Sequence, residues 1–184
     1  CCMVSGVECI FVRQSVQLGL GHAIMYSERV VGDEPFVILL ADDFLVGSMQ
    51  NPTKDLIAGF RNSNKSHLLE MTVDGPDISK YGVIVPSESG EGISGLVEKP
   101  SFENAPSRRA SIGRYVLTAE IFKVLHRLPE GSGGEFQLAD AINVLAQEGL
   151  VEIVNFEGKR FDCGSIEGFI SATNHEYSKR LAIK

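Results

Sequence analysis

Short apolar runs alternate with amphipathic segments along most of the chain, a pattern typical of an α/β protein. Residues 9–12 and 36–40 are nearly continuous in apolar side chains, which predicts strands buried on both faces of a sheet. Residues 22–30 fit a crossover helix between these strands, and residues 53–60 predict a second helix with one apolar face. A further strand is predicted over residues 67–73.

The pattern changes after residue 80. Residues 81–85, 93–97 and 112–117 predict strands separated by Ser, Gly and Pro with little helix between them. This grouping indicates an antiparallel excursion from a parallel sheet. Residues 121–128 and 138–145 then carry apolar side chains at helical spacing.

The last part of the chain returns to strand and helix. Residues 151–156 predict a strand, Gly158 begins a turn, and Ser165 has the character of an N-cap for a C-terminal helix. The whole pattern predicts a mixed, mainly parallel sheet with flanking helices, Rossmann-like in organisation. The 184 residues favour a single domain over residues 1–184.

Composition narrows the functional classes. With 43 % hydrophobic and 22 % charged side chains, the chain matches soluble globular domains, which argues against disorder or a coiled coil. Its net charge of −7 argues against nonspecific binding to nucleic acid or an anionic membrane. No apolar run approaches the roughly 18 residues of a membrane-spanning helix, and a cytoplasmic protein is expected. The four cysteines form no CxxC pair and are expected to be reduced thiols.

One candidate ligand-binding segment is RQSVQLGLGHA at residues 13–23. Glycines between a strand end and a helix start let the backbone approach a flat or anionic ligand closely. A plain turn between a strand and a helix fits the same residues, so spacing alone leaves both interpretations open. His22 is expected to be a packing residue rather than a catalyst.

Carboxylates at strand ends form the second candidate. Asp42 and Asp43 follow the apolar run 37–40, and Asp162 lies between a predicted strand and the last helix. Carboxylates at such positions suit Mg²⁺ held against phosphate oxygens, although each acid alone also fits a turn or a helix N-terminus. Side-chain alternation directs one of the adjacent acids into the cleft, and we expect this to be Asp42 while Asp43 points elsewhere.

The segment GLVEKP at residues 95–100 is the third candidate. Glu98 can accept hydrogen bonds from sugar hydroxyls, and Lys99 provides a compact charge for a phosphate. A surface ion pair at a strand end is the alternative.

In order and wording, these segments resemble the bacterial-type UTP–glucose-1-phosphate uridylyltransferases, also called UDP-glucose pyrophosphorylases. The shared words are RQ at 13–14, GLGHA at 19–23, VGDEPF at 31–36, ILLAD at 38–42, KYGV at 80–83, GLVEKP at 95–100, IGRYVL at 112–117, GEFQLADAI at 134–142 and FDCG at 161–164.

The resemblance implies a nucleotide-diphospho-sugar transferase fold, UTP and glucose 1-phosphate as substrates, Mg²⁺ as cofactor and a homo-oligomer. Gln14 and Gly19 would contact uracil. Asp42 would be the catalytic metal ligand, with Asp162 as the second carboxylate at the metal.

On the sugar side, the resemblance implies that Gly82 and Glu98 hold glucose. Lys99 would bind the sugar phosphate and take part in catalysis. The glucose 1-phosphate oxygen would attack the α-phosphorus of UTP, and pyrophosphate would leave. No covalent enzyme intermediate is needed.

The 184 residues contain neither the GxGTR loop nor the KxxPK-like segment with which family members begin. The resemblance therefore covers the C-terminal two-thirds of the family's domain, and the chain alone is expected to lack activity. Three alternatives stay open: another sugar-1-phosphate nucleotidyltransferase such as a thymidylyltransferase, a noncatalytic remnant that binds nucleotide sugar, and a metal-dependent glycosyltransferase. The last class usually carries a D-x-D motif, where this chain has adjacent acids.

Overall fold

A mixed sheet with helices on both faces forms the centre of the fold, in a computed structural model that describes residues 6–47, 51–87 and 92–182. The helices are α1 (Gly19–Met25), α2 (Glu28–Val31), α3 (Pro52–Ser63), α4 (Glu120–Leu125), α5 (Leu138–Gln147) and α6 (Ile166–Ala182). The strands are β1 (Phe36–Leu39), β2 (Asp43–Val46), β3 (Ser66–Thr72), β4 (Gly82–Pro86), β5 (Ile93–Glu98), β6 (Arg109–Leu117), β7 (Val151–Asn155) and β8 (Lys159–Asp162).

Strand β6 organises the main sheet. The order is β5-β4-β6-β3-β7, and β1 also pairs with β6. β6 is long enough to take β4 along its first half, where Gly82 lies opposite Ser111, and β1 along its second half, where Phe36 lies opposite Leu117. A separate ladder joins β2 to β8.

The mixed α/β class is confirmed, but the prediction of a mainly parallel sheet is wrong. Within the described residues, β3 and β7 form the one parallel pair, and every other pairing is antiparallel. The physical reason is that β1, β3 and β4 all run opposite to the central β6. The strands of the parallel pair, β3 and β7, are separated in the chain by a long stretch that carries α4 and α5, and a parallel pair requires such a long connection.

The core has a layer on each face of the sheet. On one face α4 and α5 bury Phe122 and Ile142 against the sheet, and on the other α3 buries Leu56 against Leu69 and Ile112. Burial of such large side chains stabilises each layer by about 1.5–3 kcal/mol per side chain. This sandwich holds the strand ends that carry the predicted site residues.

Side-chain caps fix the N-termini of α3 and α6, and the cap at Ser165 was predicted from the sequence. Asn51 caps α3 by accepting a hydrogen bond from the Thr53 amide at 3.0 Å. Ser165 caps α6, since its Oγ accepts from the Gly168 amide at 3.1 Å. The predicted crossover helix over residues 22–30 is instead two short helices, α1 and α2.

Two strand predictions near the N-terminus are wrong. Residues 9–12 form no strand, because no neighbouring strand in the described chain pairs with them, and Phe11 is 95 % exposed. β1 is not buried on both faces: Phe36 and Ile38 are half-buried, whereas Val37 and Leu39 are 37 % and 56 % exposed.

The other predicted helices and strands are confirmed with shifts of a few residues at their ends. Cys9 and Cys163 are free thiols, and Cys1 and Cys2 lie outside the described residues. Among the described helices, none combines the length and apolar character needed to cross a membrane. The single-domain organisation stays a prediction.

Candidate functional site

A cavity of about 320 Å³ opens where the β4–β5 pair, the middle of β6 and the start of α5 meet. All three residues predicted to hold glucose and its phosphate, Gly82, Glu98 and Lys99, line it together. Leu20 of α1 and Arg160 of β8 contribute to the same wall. Elements from both ends of the described chain therefore meet at one cavity.

Gly82 and Glu98 lie opposite each other in the β4–β5 register. A β-carbon on Gly82 would lie 3.2 Å from Glu98 Oε2, so the glycine leaves room beside this carboxylate. Glu98 is 38 % exposed at the side chain and can accept hydrogen bonds from a ligand in the cavity.

Lys99 directs its ammonium group toward the same place from an unusual backbone conformation. Its φ angle is 44°, and its amide donates to the Tyr81 carbonyl at 3.0 Å. The Nζ atom lies 3.8 Å from Glu98 Oε1, and the Lys99 side chain is 66 % exposed. The ammonium group is thus loosely paired and available to an anionic ligand.

Asp42 and Asp162 come together around Gly164. Cys163 donates its amide to the Asp42 carbonyl at 2.8 Å, and Gly164 donates to Asp162 Oδ1 at 3.1 Å. A β-carbon on Gly164 would lie 3.1 Å from Asp162 Oδ1 and 3.2 Å from Asp42 Oδ2. The two carboxylate oxygens are therefore no farther apart than about twice that distance.

Carboxylate oxygens are the ligands that a hard divalent cation prefers. No group of three His, Cys, Asp or Glu side chains that could hold a metal occurs in the part of the chain that the structure describes. Mg²⁺ commonly takes only one or two carboxylates and completes its shell with water and substrate phosphates. Asp42 and Asp162 are both exposed, so water and phosphate oxygens could reach an ion held at either carboxylate.

Gln14 and Gly19 also lie together, at the start of α1. Gln14 Nε2 donates to the Gly19 carbonyl at 3.2 Å. The loop is joined to Phe136 by two backbone hydrogen bonds of 2.8 Å, from Phe136 to Leu18 and from Gly21 to Phe136. Since Glu135 and Gln137 flank Phe136 in sequence and line the cavity, this loop lies beside the cavity.

Glycine is required at two positions of this loop. Gly19 has a φ angle of 89°, and a β-carbon there would lie 2.9 Å from the Phe136 carbonyl oxygen. A β-carbon on Gly21 would lie 2.6 Å from the same atom. Any larger residue would push the two backbones apart.

Asp43 is in the cavity wall, so the expectation that it points away is wrong. It is 4 % exposed, forms an ion pair with Arg160 Nη2, and accepts from the Gly113 amide at 2.6 Å. Strand alternation did not apply, because β1 ends at Leu39 and a turn separates it from β2, which begins at Asp43. Asp42 lies in that turn and is exposed.

Arg160 and Tyr81 complete this wall and were missed at the sequence level. Arg160 donates to the Tyr81 hydroxyl at 2.9 Å and lies over its ring at 4.9 Å. Although burial acts to lower the pKa of Arg160, its bond to Asp43 raises that pKa overall. The only sequence signal was the position of Arg160 two residues before Asp162, on the same face of a strand.

Tyr115 of β6 lies deeper in the cavity wall. Burial raises the pKa of its hydroxyl to about 12. The phenol is thus neutral at physiological pH and presents no charge to a ligand.

Comparison with known proteins gives a consistent relationship. The family model described as "Nucleotidyl transferase" matches residues 4–179. A UTP–glucose-1-phosphate uridylyltransferase of Pseudomonas aeruginosa is 41 % identical over 176 residues, covering 92 % of this chain and 63 % of the relative. One of Streptococcus pyogenes is also 41 % identical, over 89 % of this chain and 56 % of its own length.

Solved structures agree with the sequence relatives. A UDP-glucose pyrophosphorylase complexed with UDP-glucose superposes with a TM-score of 0.85 at 40 % identity, over 91 % of this chain and 65 % of the other. The UTP-bound UGPase of Acinetobacter baumannii gives 0.84 at 33 % identity, over 99 % and 67 %. The chain spans about three-fifths of the length of the curated relatives it matches. With its fold, its cavity and this match over nearly its whole length, the chain belongs to the nucleotidyl transferase family.

Proposed function

We propose that this chain carries the sugar-phosphate and base contacts of an enzyme that makes UDP-glucose and pyrophosphate from UTP and glucose 1-phosphate. One observation carries the proposal: segments singled out separately in the sequence meet around one cavity. Gly82, Glu98 and Lys99 line it, and the loop of Gln14 and Gly19 lies beside it. The activities for which the relatives are named agree with this chemistry.

The residues divide the substrates between them in this proposal. Gln14 and Gly19 contact uracil, Gly82 and Glu98 hold glucose, and Lys99 pairs with the phosphate of glucose 1-phosphate. The loose pairing of Lys99 supports its role, because its ammonium group loses little on leaving Glu98 for a phosphate.

The reaction is a displacement at phosphorus. An oxygen of glucose 1-phosphate forms a bond to the α-phosphorus of UTP, the bond from that phosphorus to the bridging oxygen breaks, and pyrophosphate leaves with the electron pair. Alignment and charge neutralisation supply the catalysis. Asp42 and Asp162 would hold Mg²⁺, which when bound neutralises phosphate charge.

We include a cytoplasmic location and a homo-oligomer in the proposal. The substrates are charged phosphate esters, which do not cross membranes and so stay in the cytoplasm, and this supports the location. Ile166, Phe169 and Ile170 of α6 are more than half exposed, and such apolar area supports a contact between copies. Light scattering on the purified protein measures the assembly state.

The test is pyrophosphate release from UTP and glucose 1-phosphate. It compares the 184-residue chain with the same chain extended by the N-terminal segment of the Pseudomonas aeruginosa relative. We expect Mg²⁺-dependent turnover in the extended protein and at least about a hundredfold less in the short chain, because removal of a single stabilising donor already costs about 10²–10³.

The same assay separates the alternatives. Preference for dTTP over UTP in the extended protein would indicate a thymidylyltransferase. Glucose transfer from UDP-glucose without pyrophosphate exchange would indicate a glycosyltransferase. Binding of UDP-glucose without any turnover in the extended protein would favour a noncatalytic role.

A further inference from the structure

The hydrogen bonds of Gln14 identify which atom of its side-chain amide bonds within the protein. One amide atom lies 3.2 Å from the Gly19 carbonyl oxygen and 2.8 Å from His22 Nδ1. A carbonyl oxygen only accepts, so the amide atom facing Gly19 must be the nitrogen. Both N–H bonds of Gln14 are then used within the protein, one toward Gly19 and one toward His22.

The protonation state of His22 follows from the same geometry. The amide nitrogen of Gln14 only donates, so Nδ1 of His22 must accept. The ring is therefore neutral with its proton on Nε2. If Nδ1 carried a proton, two donors would face each other and the amide of Gln14 would have to turn over.

The imidazole ring is held in place by its neighbours. It stacks on Phe136 with ring centres 6.0 Å apart, and it meets the edge of Tyr26 at 5.0 Å. The Tyr26 hydroxyl in turn bonds Ser15 at 2.8 Å. Phe136 is itself joined to the loop by backbone hydrogen bonds, so the ring and the Gln14 amide are both tied to the same loop.

We propose that His22 is a positioning residue that makes Gln14 a pure hydrogen-bond acceptor toward the nucleotide base, and that this selects uracil over cytosine. This inference rests on the proposed function, in which Gln14 contacts the base. Uracil places a ring N–H at N3 between two carbonyl groups, and that N–H can donate to Gln14 Oε1. Cytosine has an unprotonated N3 at the same position, so two acceptors would face each other.

Thymine has the same N3–H as uracil. The arrangement therefore does not separate uracil from thymine, which provides an internal control. The expectation that His22 is merely a packing residue is thus extended: packing holds the ring, and the ring sets the direction of the Gln14 amide.

The variants His22→Asn and His22→Leu form a matched pair. Asn presents an oxygen acceptor near the place of Nδ1, whereas Leu presents a methyl group of similar size. Both lose the imidazole stack on Phe136 equally. A purely structural role predicts the same behaviour for the two variants, and a positioning role predicts rescue by Asn.

The first measurement is the tautomer of His22 in the 184-residue chain. Long-range proton–nitrogen correlation of the imidazoles, assigned by loss of a signal in His22→Asn, is expected to show the proton on Nε2. A proton on Nδ1 in the folded chain would overturn the proposal. This readout needs no activity.

The second measurement is binding of UMP, CMP and TMP to the same chain by chemical-shift titration. We expect the wild type to prefer UMP to CMP, His22→Asn to keep this preference, and His22→Leu to lose roughly 3- to 10-fold of it. The UMP-to-TMP ratio is expected to stay unchanged. Equal preference in His22→Leu and wild type, or no preference in the wild type, would overturn the inference. Failure of pyrophosphate release with the preference intact would overturn the proposed reaction alone.

Discussion

At the residue scale, Lys99 combines a backbone conformation that is costly for its residue type with an available charge. Within the described residues, only Asn64 and Lys99 among non-glycine residues have positive φ angles. Such a conformation costs about 1–2 kcal/mol for an L-residue. The rest of the fold offsets that cost, and Lys99 in this conformation lines the cavity.

Replacing Lys99 by Ala or by Gly separates these two effects. We expect both variants to raise the KM for glucose 1-phosphate far more than the KM for UTP in the extended protein, because only the sugar phosphate loses its cation. Lys99→Gly is expected to be more stable than Lys99→Ala by about 1 kcal/mol, since glycine accepts the positive φ angle. Steady-state kinetics and urea unfolding measure the two quantities. Equal losses for both substrates would contradict the assignment.

Asp42 and Asp162 give a second residue-scale prediction. Asp42→Asn or Asp162→Asn should reduce Mg²⁺-dependent turnover of the extended protein by about a hundredfold or more, because in the proposed function each removes a charged ligand of the metal. Both residues are exposed, so the free energy of unfolding should change little. Asp33→Asn, at an exposed carboxylate of the turn before β1, is the matched control. Near-normal rates in Asp42→Asn would show that this residue does not hold the metal.

At the element scale, the short β2–β8 ladder depends on a buried ion pair. Asp43 is 4 % exposed and its partner Arg160 is 15 % exposed at the side chain. Arg114 of β6 additionally donates to the Asp43 carbonyl at 3.0 Å. Removing the charge of Asp43 would leave Arg160 buried without its counter-charge.

We therefore expect Asp43→Asn to lower the free energy of unfolding by about 3 kcal/mol. Asp74→Asn provides the control, since it breaks an exposed pair with Arg108 and should cost less than about 1 kcal/mol. Urea denaturation of both variants measures the difference. Similar losses would mean that burial does not govern the contribution of the Asp43 pair.

Tyr115 of the central strand β6 makes the free energy of unfolding depend on pH. The pKa of Tyr115 rises from 10.0 to about 12 on burial, so the folded chain holds this proton more tightly than the unfolded chain. The resulting stability is fully present below pH 10 and is lost between pH 10 and 12. The loss is on the order of 2–3 kcal/mol. The free energy of unfolding measured against pH should show this loss in the wild type and not in Tyr115→Phe. In the folded wild type, the tyrosinate absorbance of Tyr115 should appear only as the pH approaches about 12.

The sequence predicted elements best where the signal is local. The apolar face over residues 53–60 predicted α3 to within a few residues of its ends, and Ser165 predicted the start of α6. Residues 9–12 failed as a strand because a strand needs a partner that no local pattern reveals. The β2–β8 ladder was missed since four-residue strands such as Lys-Arg-Phe-Asp carry no clear alternation.

The same division applies to the candidate site. Asp42, Glu98 and Lys99 were visible because acids and bases at strand ends have a known chemical use. The pairing of Asp43 with Arg160 depends on residues far apart in the chain, so only the folded structure reveals it. Gln14 and His22 lie only eight residues apart in the sequence. Their hydrogen bond could still not be predicted, because it depends on how the chain enters α1.

At the scale of the whole molecule, β1 leaves apolar side chains uncovered. Val37 and Leu39 project on the face opposite Phe36, and they are 37 % and 56 % exposed. Within the described residues β1 pairs with β6 alone, so its other edge offers unpaired backbone groups. An exposed edge with apolar side chains favours association.

We expect the purified 184-residue chain to self-associate reversibly as its concentration rises and Leu39→Lys to reduce this association. Leu150→Lys is the matched control, because Leu150 is also an exposed leucine but lies outside the strands, just before β7. Light scattering over a dilution series measures the effect. Equal reduction by both variants would show that added charge, rather than the β1 edge, controls association.

The long reach of the β2–β8 ladder has a consequence for synthesis. β2 begins at Asp43, yet its partner strand β8 begins only at Lys159, after the helices that cover the sheet. On a ribosome, the turn that carries Asp42 therefore waits without its partner until nearly all the described chain has emerged. A chain interrupted before Lys159 can build the central strands around β6, but it cannot bring Asp162 beside Asp42. We therefore expect such truncated products to lack the proposed activity rather than to catalyse a different reaction.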